Sequence, residues 1–164
     1  QDQLGDQSVT TLLVDLSGEV VDDDFPFGPL ETLWQLDADL AARHQYPALS
    51  PLHSASSILE EADASERHLQ LRQRAQKTLR RYRELRSIAA AHGMERIQLA
   101  ELETYRRGER LEAYFTQPFF VAEELTGQKA VSVPLEQVLQ DVESILAGQA
   151  DSRDLSELQY TGAL

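Results

Sequence analysis

Two kinds of hydrophobic pattern follow one another along this chain. Ser8 to Leu16 reads Ser-Val-Thr-Thr-Leu-Leu-Val-Asp-Leu, apolar and β-branched with almost no alternation. That is the pattern of a strand buried on both faces, as in a parallel sheet, and such a strand needs sheet neighbours. Gly18 to Pro29, with Asp22, Asp23 and Asp24 in a row, predicts a loop. From Leu30 to His44 the residues Leu30, Leu33, Trp34 and Leu40 share one helical face, with Asp37 the exception. Tyr46 to Ser57 is broken by Pro47 and Pro51 and predicts irregular chain. After it the spacing becomes helical. Leu71, Ala75, Leu79, Tyr82, Leu85 and Ala89 recur every three or four residues, and Gly93 supplies a stop. A second helix is predicted over Leu99 to Tyr114, ended by Gln117-Pro118-Phe119-Phe120. A last one starts at about Pro134 and carries Leu135, Val138, Leu139, Val142, Ile145 and Leu146, closing before Gly148. The expectation is an α/β remnant over 1–50, then an α-helical domain over 51–164.

Composition narrows the classes. The chain has 164 residues, 41% hydrophobic and 26% charged, which is close to the globular average. The formal net charge of -13 argues against a nucleic-acid partner, since phosphate contacts need a basic face. Without cysteine there is no disulfide framework, thiolate zinc site or cysteine nucleophile. No run reaches the eighteen or so apolar residues of a membrane span. The opening Gln1-Asp2-Gln3-Leu4-Gly5-Asp6 has no signal-peptide pattern and no initiator Met, so the chain is expected to begin inside a longer protein.

Candidate chemistry is sparse. Arg67 to Arg86 holds eight of the fifteen basic residues; it reads as an acid-binding face or, preferably, as a solvated helix face neutralised by acids such as Glu66 and Glu84. Asp22 to Asp24 could offer oxygens to magnesium, but a polar loop is the preferred reading. His44, His53, His68 and His92 lack zinc spacing, so no metal site is expected. There is no phosphate-cradling Gly-x-x-x-x-Gly-Lys-Ser/Thr and no Gly-x-Ser-x-Gly elbow, hence no catalytic set. Tyr46, Tyr114, Phe115, Phe119 and Phe120 sit at breaks between elements, where a ring can stack on a nucleobase or pack a junction. Spacing alone favours packing.

Longer blocks carry a resemblance. Tyr46-Pro47-Ala48-Leu49-Ser50-Pro51-Leu52, followed by Ser54-Ala55-Ser56, resembles the Tyr-Pro-Ala-Val-Asp-Pro-Leu-Asp-Ser-Thr-Ser stretch of F-type rotary ATP synthase beta subunits. Arg81-Tyr82-Arg83-Glu84-Leu85 and Gly93-Met94 are similar to their Arg-Tyr-Lys-Glu-Leu and Gly-Met. Tyr114-Phe115-Thr116-Gln117-Pro118-Phe119-Phe120-Val121-Ala122-Glu123, with Thr126-Gly127, resembles Phe-Leu-Ser-Gln-Pro-Phe-Phe-Val-Ala-Glu and Thr-Gly. Ser8-Val9-Thr10 upstream, and Val133-Pro134-Leu135, Ile145-Leu146 and Gly148 downstream, continue in order.

The resemblance implies a mainly α chain: a C-terminal helical bundle domain following the end of an α/β P-loop-type nucleotide-binding domain. It implies an ATP or ADP site in which Tyr46 stacks on adenine and Tyr114 and Phe120 close the pocket, with magnesium and the phosphates held by residues upstream of Gln1. It implies a lever after Gly93-Met94, carrying Glu95, Arg96, Glu101 and Glu103, that touches a central shaft. The implied partners are alpha-type and other beta-type subunits in a hexameric ring, peripheral to the cytoplasmic face of a membrane. Departures stand beside these likenesses. The lever is less acidic than the family's and contains Arg96; Ser50 and His53 replace aspartates and Ser57 an arginine; and Leu36 to Ala41 is more similar to the A subunit of archaeal and vacuolar-type enzymes. A non-catalytic beta-like assembly module is the alternative.

Overall fold

A computed structural model describes residues 11–15, 31–57 and 64–164, and the chain divides into two compact units, Gln1–Leu30 and Glu31–Leu164. Of the expected strand Ser8 to Leu16, residues 11–15 are described. They form no strand, and Leu12 and Val14 are exposed. An apolar β-branched run becomes a strand only when a neighbour accepts and donates its backbone hydrogen bonds. The loop from Gly18 to Pro29 lies outside the described residues.

The second unit is mainly helical. Its first segment is a small hairpin: β1 (Thr32–Leu33) pairs antiparallel with β2 (Ala55–Ser56), with Thr32 opposite Ser56 and Leu33 opposite Ala55, and a bridge joins Leu36 to Leu49. This corrects the expected helix from Leu30 to His44. Only α1 (Ala38–Ala42) is helical, because the Asp37 carboxylate accepts from the amides of Asp39 (3.0 Å) and Leu40 (3.2 Å) and starts the helix there. The residues before it hydrogen-bond across the hairpin instead, Ser50 N to Gln35 O at 2.8 Å among them. The unit thus begins at Glu31, and the expected boundary between 50 and 51 falls inside it.

Three longer helices follow. Ser65 caps α2 (Glu66–His92) by accepting from the His68 amide at 3.2 Å, and Gly93 ends it. Leu71, Ala75, Leu79, Tyr82 and Leu85 form its buried face, as the spacing predicts. Two 3-10 turns, Met94–Arg96 and Leu99–Glu101, lead into α3 (Leu102–Tyr114), so the second helix starts later than Leu99. After the 3-10 turn Phe120–Ala122 and the short α4 (Glu123–Thr126), α5 (Leu135–Leu146) packs on both long helices, and α6 (Leu155–Leu158) closes on α3. Leu71, Leu79, Leu111, Tyr114, Val142 and Ile145 belong to one core. Fully burying a leucine in such a core contributes about 1.5–3 kcal/mol.

Ion pairs fasten the hairpin to the helices. Asp37 meets Arg83 at 2.8 Å; Asp39 meets Arg43 at 2.7 Å and Arg86 at 2.6 Å; Glu112 meets Arg43 at 2.5 Å and Arg86 at 3.4 Å. Four of the eight basic residues in the arginine-rich stretch thus meet carboxylates of their own chain: Arg83 and Arg86 as above, Arg67 on Glu136 and Glu143, and Arg81 on Glu84 and Glu101. Burial by itself would raise the pKa of Asp37, but the Leu40 amide and Arg83 outweigh it and hold the carboxyl below its usual value. Asp39 is likewise held low by Arg86 and Arg43 against the burial effect. A depressed carboxylate contributes stability above its unfolded pKa and loses it as pH falls through the folded value. Acid unfolding should therefore begin near and below the ordinary aspartate range. Asp37→Asn and Asp39→Asn should flatten that acid limb in a pH series of urea midpoints.

Candidate functional site

A tightly bonded irregular region lies where α1 ends. Gln45 N bonds to Leu40 O at 2.9 Å and His44 N to Ala41 O at 3.0 Å, turning His44 to φ 57. The peptide between Tyr46 and Pro47 is cis. The chain has then reversed, and Tyr46, half-buried, presents its carbonyl to the segment after α3, where the Gln117 amide donates to it at 3.0 Å. Two blocks some seventy residues apart in sequence are brought together by that bond.

Gln117 is the organiser of the second block. Its side-chain amide donates to Tyr114 O at 2.5 Å, where α3 stops, and to Gly162 O at 3.2 Å, while its side-chain carbonyl accepts from the Gly162 amide at 3.1 Å. Pro118 follows and cannot continue the helix. Phe120 then stands 68% exposed in the turn after Phe119. Tyr46 and Phe120 are thus carried by neighbouring segments, with faces that are at least partly open.

Tyr114 is placed otherwise than the resemblance implies. Its ring is 2% exposed, inside the helical core, and its hydroxyl donates to Asp141 Oδ2 at 2.9 Å. Burial, then the bond to Asp141 and its charge, push the phenol pKa up. A ring enclosed in this way has no free face for a base. Its position three residues after Leu111, on the buried face of α3, was the signal in the sequence. The neighbouring Phe115 is only partly buried and leans on Tyr114 with ring centroids 5.9 Å apart. It also lines a groove of about 330 Å³ with Trp34, Leu71, Leu135 and Val138.

The four residues expected in the lever sit in different surroundings. Glu95 and Arg96 are exposed in the turn after Gly93, anchored beneath by the buried Ile97. Glu101 is held by Arg81, whose Nε donates to it at 2.8 Å. Glu103 is exposed, with Arg107 at 3.5 Å. Leu99, at 86% exposed, is a prominent apolar side chain between them.

Sequence reading missed Glu112, Gln117 and Tyr160, which hold the Tyr46 loop by polar contacts with partners far along the chain. Among the described residues no three His, Asp or Glu side chains gather as a metal-holding group, and no helix is long and apolar enough to cross a membrane. No family model matches the chain.

Proposed function

We propose that this chain is the C-terminal part of a catalytic beta-type subunit of a rotary ATP synthase, contributing the adenine end of a nucleotide site and the lever that couples ATP turnover to shaft rotation and ion transport. The observation that carries this reading is the hydrogen bond from Gln117 N to Tyr46 O. It joins the Tyr-Pro-Ala block to the Gln-Pro-Phe-Phe block, the two stretches whose residues resemble the family's base pocket. Tyr46 supplies a face for adenine and Phe120 an opposing ring. Tyr114 supports them from the core and makes no base contact. The phosphates and magnesium belong to an α/β nucleotide-binding part upstream, so the chain by itself stacks on a base and hydrolyses nothing. The turn with Glu95, Arg96 and Leu99 faces the shaft, in a ring shared with alpha-type and other beta-type subunits at the cytoplasmic face of a membrane.

The test is an NMR titration of the 164-residue chain with adenosine, against inorganic tripolyphosphate. Adenosine should move the resonances of Tyr46 and Phe120, weakly and saturably, and tripolyphosphate should leave them in place. Tyr46→Ala should lose about 1–3 kcal/mol of this affinity, the worth of stacking one base. Tyr46→Phe should keep most of it, because the ring face matters more than the hydroxyl. Equal shifts in wild type and Tyr46→Ala would dismiss the adenine site. A second reading, a non-catalytic assembly module, would then lead, favoured by the apolar groove beside Trp34 and by exposed Phe120 and Val121.

A further inference from the structure

The segment after α6 returns to the Tyr46 loop and ties it down. Leu158 is fully buried and fixes the start of this segment. Tyr160 then donates its amide to Thr116 O at 2.8 Å and its hydroxyl to His44 O at 3.0 Å, a contact across 116 positions. Gly162 and the Gln117 side chain exchange two hydrogen bonds, at 3.1 and 3.2 Å. Leu164 N donates to Asp141 Oδ2 at 3.1 Å, the carboxylate that also holds Tyr114.

Backbone conformation marks the same place. Among the described residues the non-glycine positions with positive φ are His44 (57) and Tyr160 (55), and these two are joined by the Tyr160 hydroxyl bond. Left-handed backbone is unfavourable for residues with a Cβ. It persists where the surroundings over-determine it, commonly at functional sites. His44 takes it where its own amide and that of Gln45 close α1, and Tyr160 takes it where its hydroxyl reaches His44 O.

We propose that Tyr160 and Gly162 are positioning residues: a clasp that sets the Tyr46 loop against the segment Gln117–Phe120 and so determines whether the base site is assembled. This rests on the adenine reading above. Two bonds reach the loop backbone at 44–46 from the later helical part, Tyr160 hydroxyl to His44 O and Gln117 amide to Tyr46 O, beside the hairpin bond from Asp37 N to Ala48 O and the Arg43–Glu112 pair. Gln117 in turn keeps its orientation through Gly162. Releasing Tyr160 leaves the Gln117 amide as the one hydrogen bond from that part of the chain to the loop backbone at 44–46, while His44 keeps the bonds that close α1. Affinity for a base should then depend on a residue that does not touch it, because binding must order a loop that the clasp otherwise orders in advance.

Two variants test this in the 164-residue chain. Tyr160→Phe removes only the hydroxyl. Gly162→Ala puts a Cβ at φ 79, 2.9 Å from Val131 Cγ1, and disturbs the pairing with Gln117 without touching Tyr160. The readouts are amide hydrogen exchange at Gln117, with Leu111 and Ile145 as core controls, and the adenosine titration. Tyr160→Phe should speed Gln117 exchange about three- to tenfold, as expected for one lost hydrogen bond. Adenosine affinity should weaken by a similar factor while both controls keep their protection. Unchanged Gln117 exchange in both variants would overturn the clasp. So would an equal rise at Leu111 and Ile145, which would mean a general loss of stability. If adenosine binds wild type and both variants equally, the positioning role is wrong and the adenine reading survives. If Gln117 exchange responds but adenosine never shifts the wild type, the adenine reading fails and the clasp stands as a device that orders this loop.

Discussion

Replacing Glu112 by alanine should cost about 2–4 kcal/mol of folding stability, measured as a shift in urea midpoint. The carboxylate is 5% exposed, and Oε1 meets both Arg43 and Arg86. Breaking a buried pair from one side leaves the other charge without compensation and costs about 3–5 kcal/mol in a fully buried setting. The expectation is set somewhat lower because both arginines retain Asp39 and some contact with solvent. Glu112→Gln should fall between wild type and alanine, since an amide oxygen can still accept from Arg43. A loss below about 1 kcal/mol for alanine, the worth of an exposed pair, would show that this cluster does not fasten the hairpin.

Gly108 sets the second large effect. A Cβ built there lies 2.2 Å from Tyr82 Cβ and 2.7 Å from Tyr82 Cγ, so α2 and α3 approach at a distance only glycine permits. Tyr82 has nowhere to go. It is 3% exposed, meets the edge of Tyr105 at 5.2 Å, and lies 5.9 Å beneath the Arg86 guanidinium. Alanine in a helix interior normally gains about 1 kcal/mol over glycine. Here overpacking, typically costing about 1–3 kcal/mol and occasionally more, should outweigh that gain. Gly108→Ala should lower the thermal midpoint and Gly108→Val should lower it further. An alanine variant more stable than wild type would mean that the two helices part easily.

What was legible in the sequence was what local patterning controls. The apolar spacing from Leu71 to Leu85 and the run from Leu135 to Leu146 became helix, the first ending at Gly93, with Leu139, Val142, Ile145 and Leu146 buried as predicted and Leu135 left exposed. What was not legible depended on distant partners. Leu30 to His44 has a helical apolar face, yet residues up to Leu36 pair with the segment ending at Ser57, which a pattern within fifteen residues cannot reveal. Tyr114 looked like a ring at a break because Asp141, 27 positions on, was not visible as its acceptor. Tyr46 and Phe120 are aromatic residues at breaks in the sequence and sit at turns in the fold, but the bond that unites their segments required the structure.

The contact between Tyr160 and His44 also bears on how the molecule is made. Most helix contacts here join neighbours in sequence, α2 with α3 above all, and contacts of that kind form early. The Tyr46 loop is closed by residues 116 positions later. On the ribosome, α1 and the hairpin emerge long before the residues that complete them, and at about 5–20 residues per second the wait lasts on the order of ten seconds. During that interval Tyr46, Trp34 and the apolar groove have no finished partner surface. A nascent chain halted before Tyr160 should therefore carry a folded α2–α3 pair beside an open loop, and it should be a better chaperone client than the chain extended to Leu164.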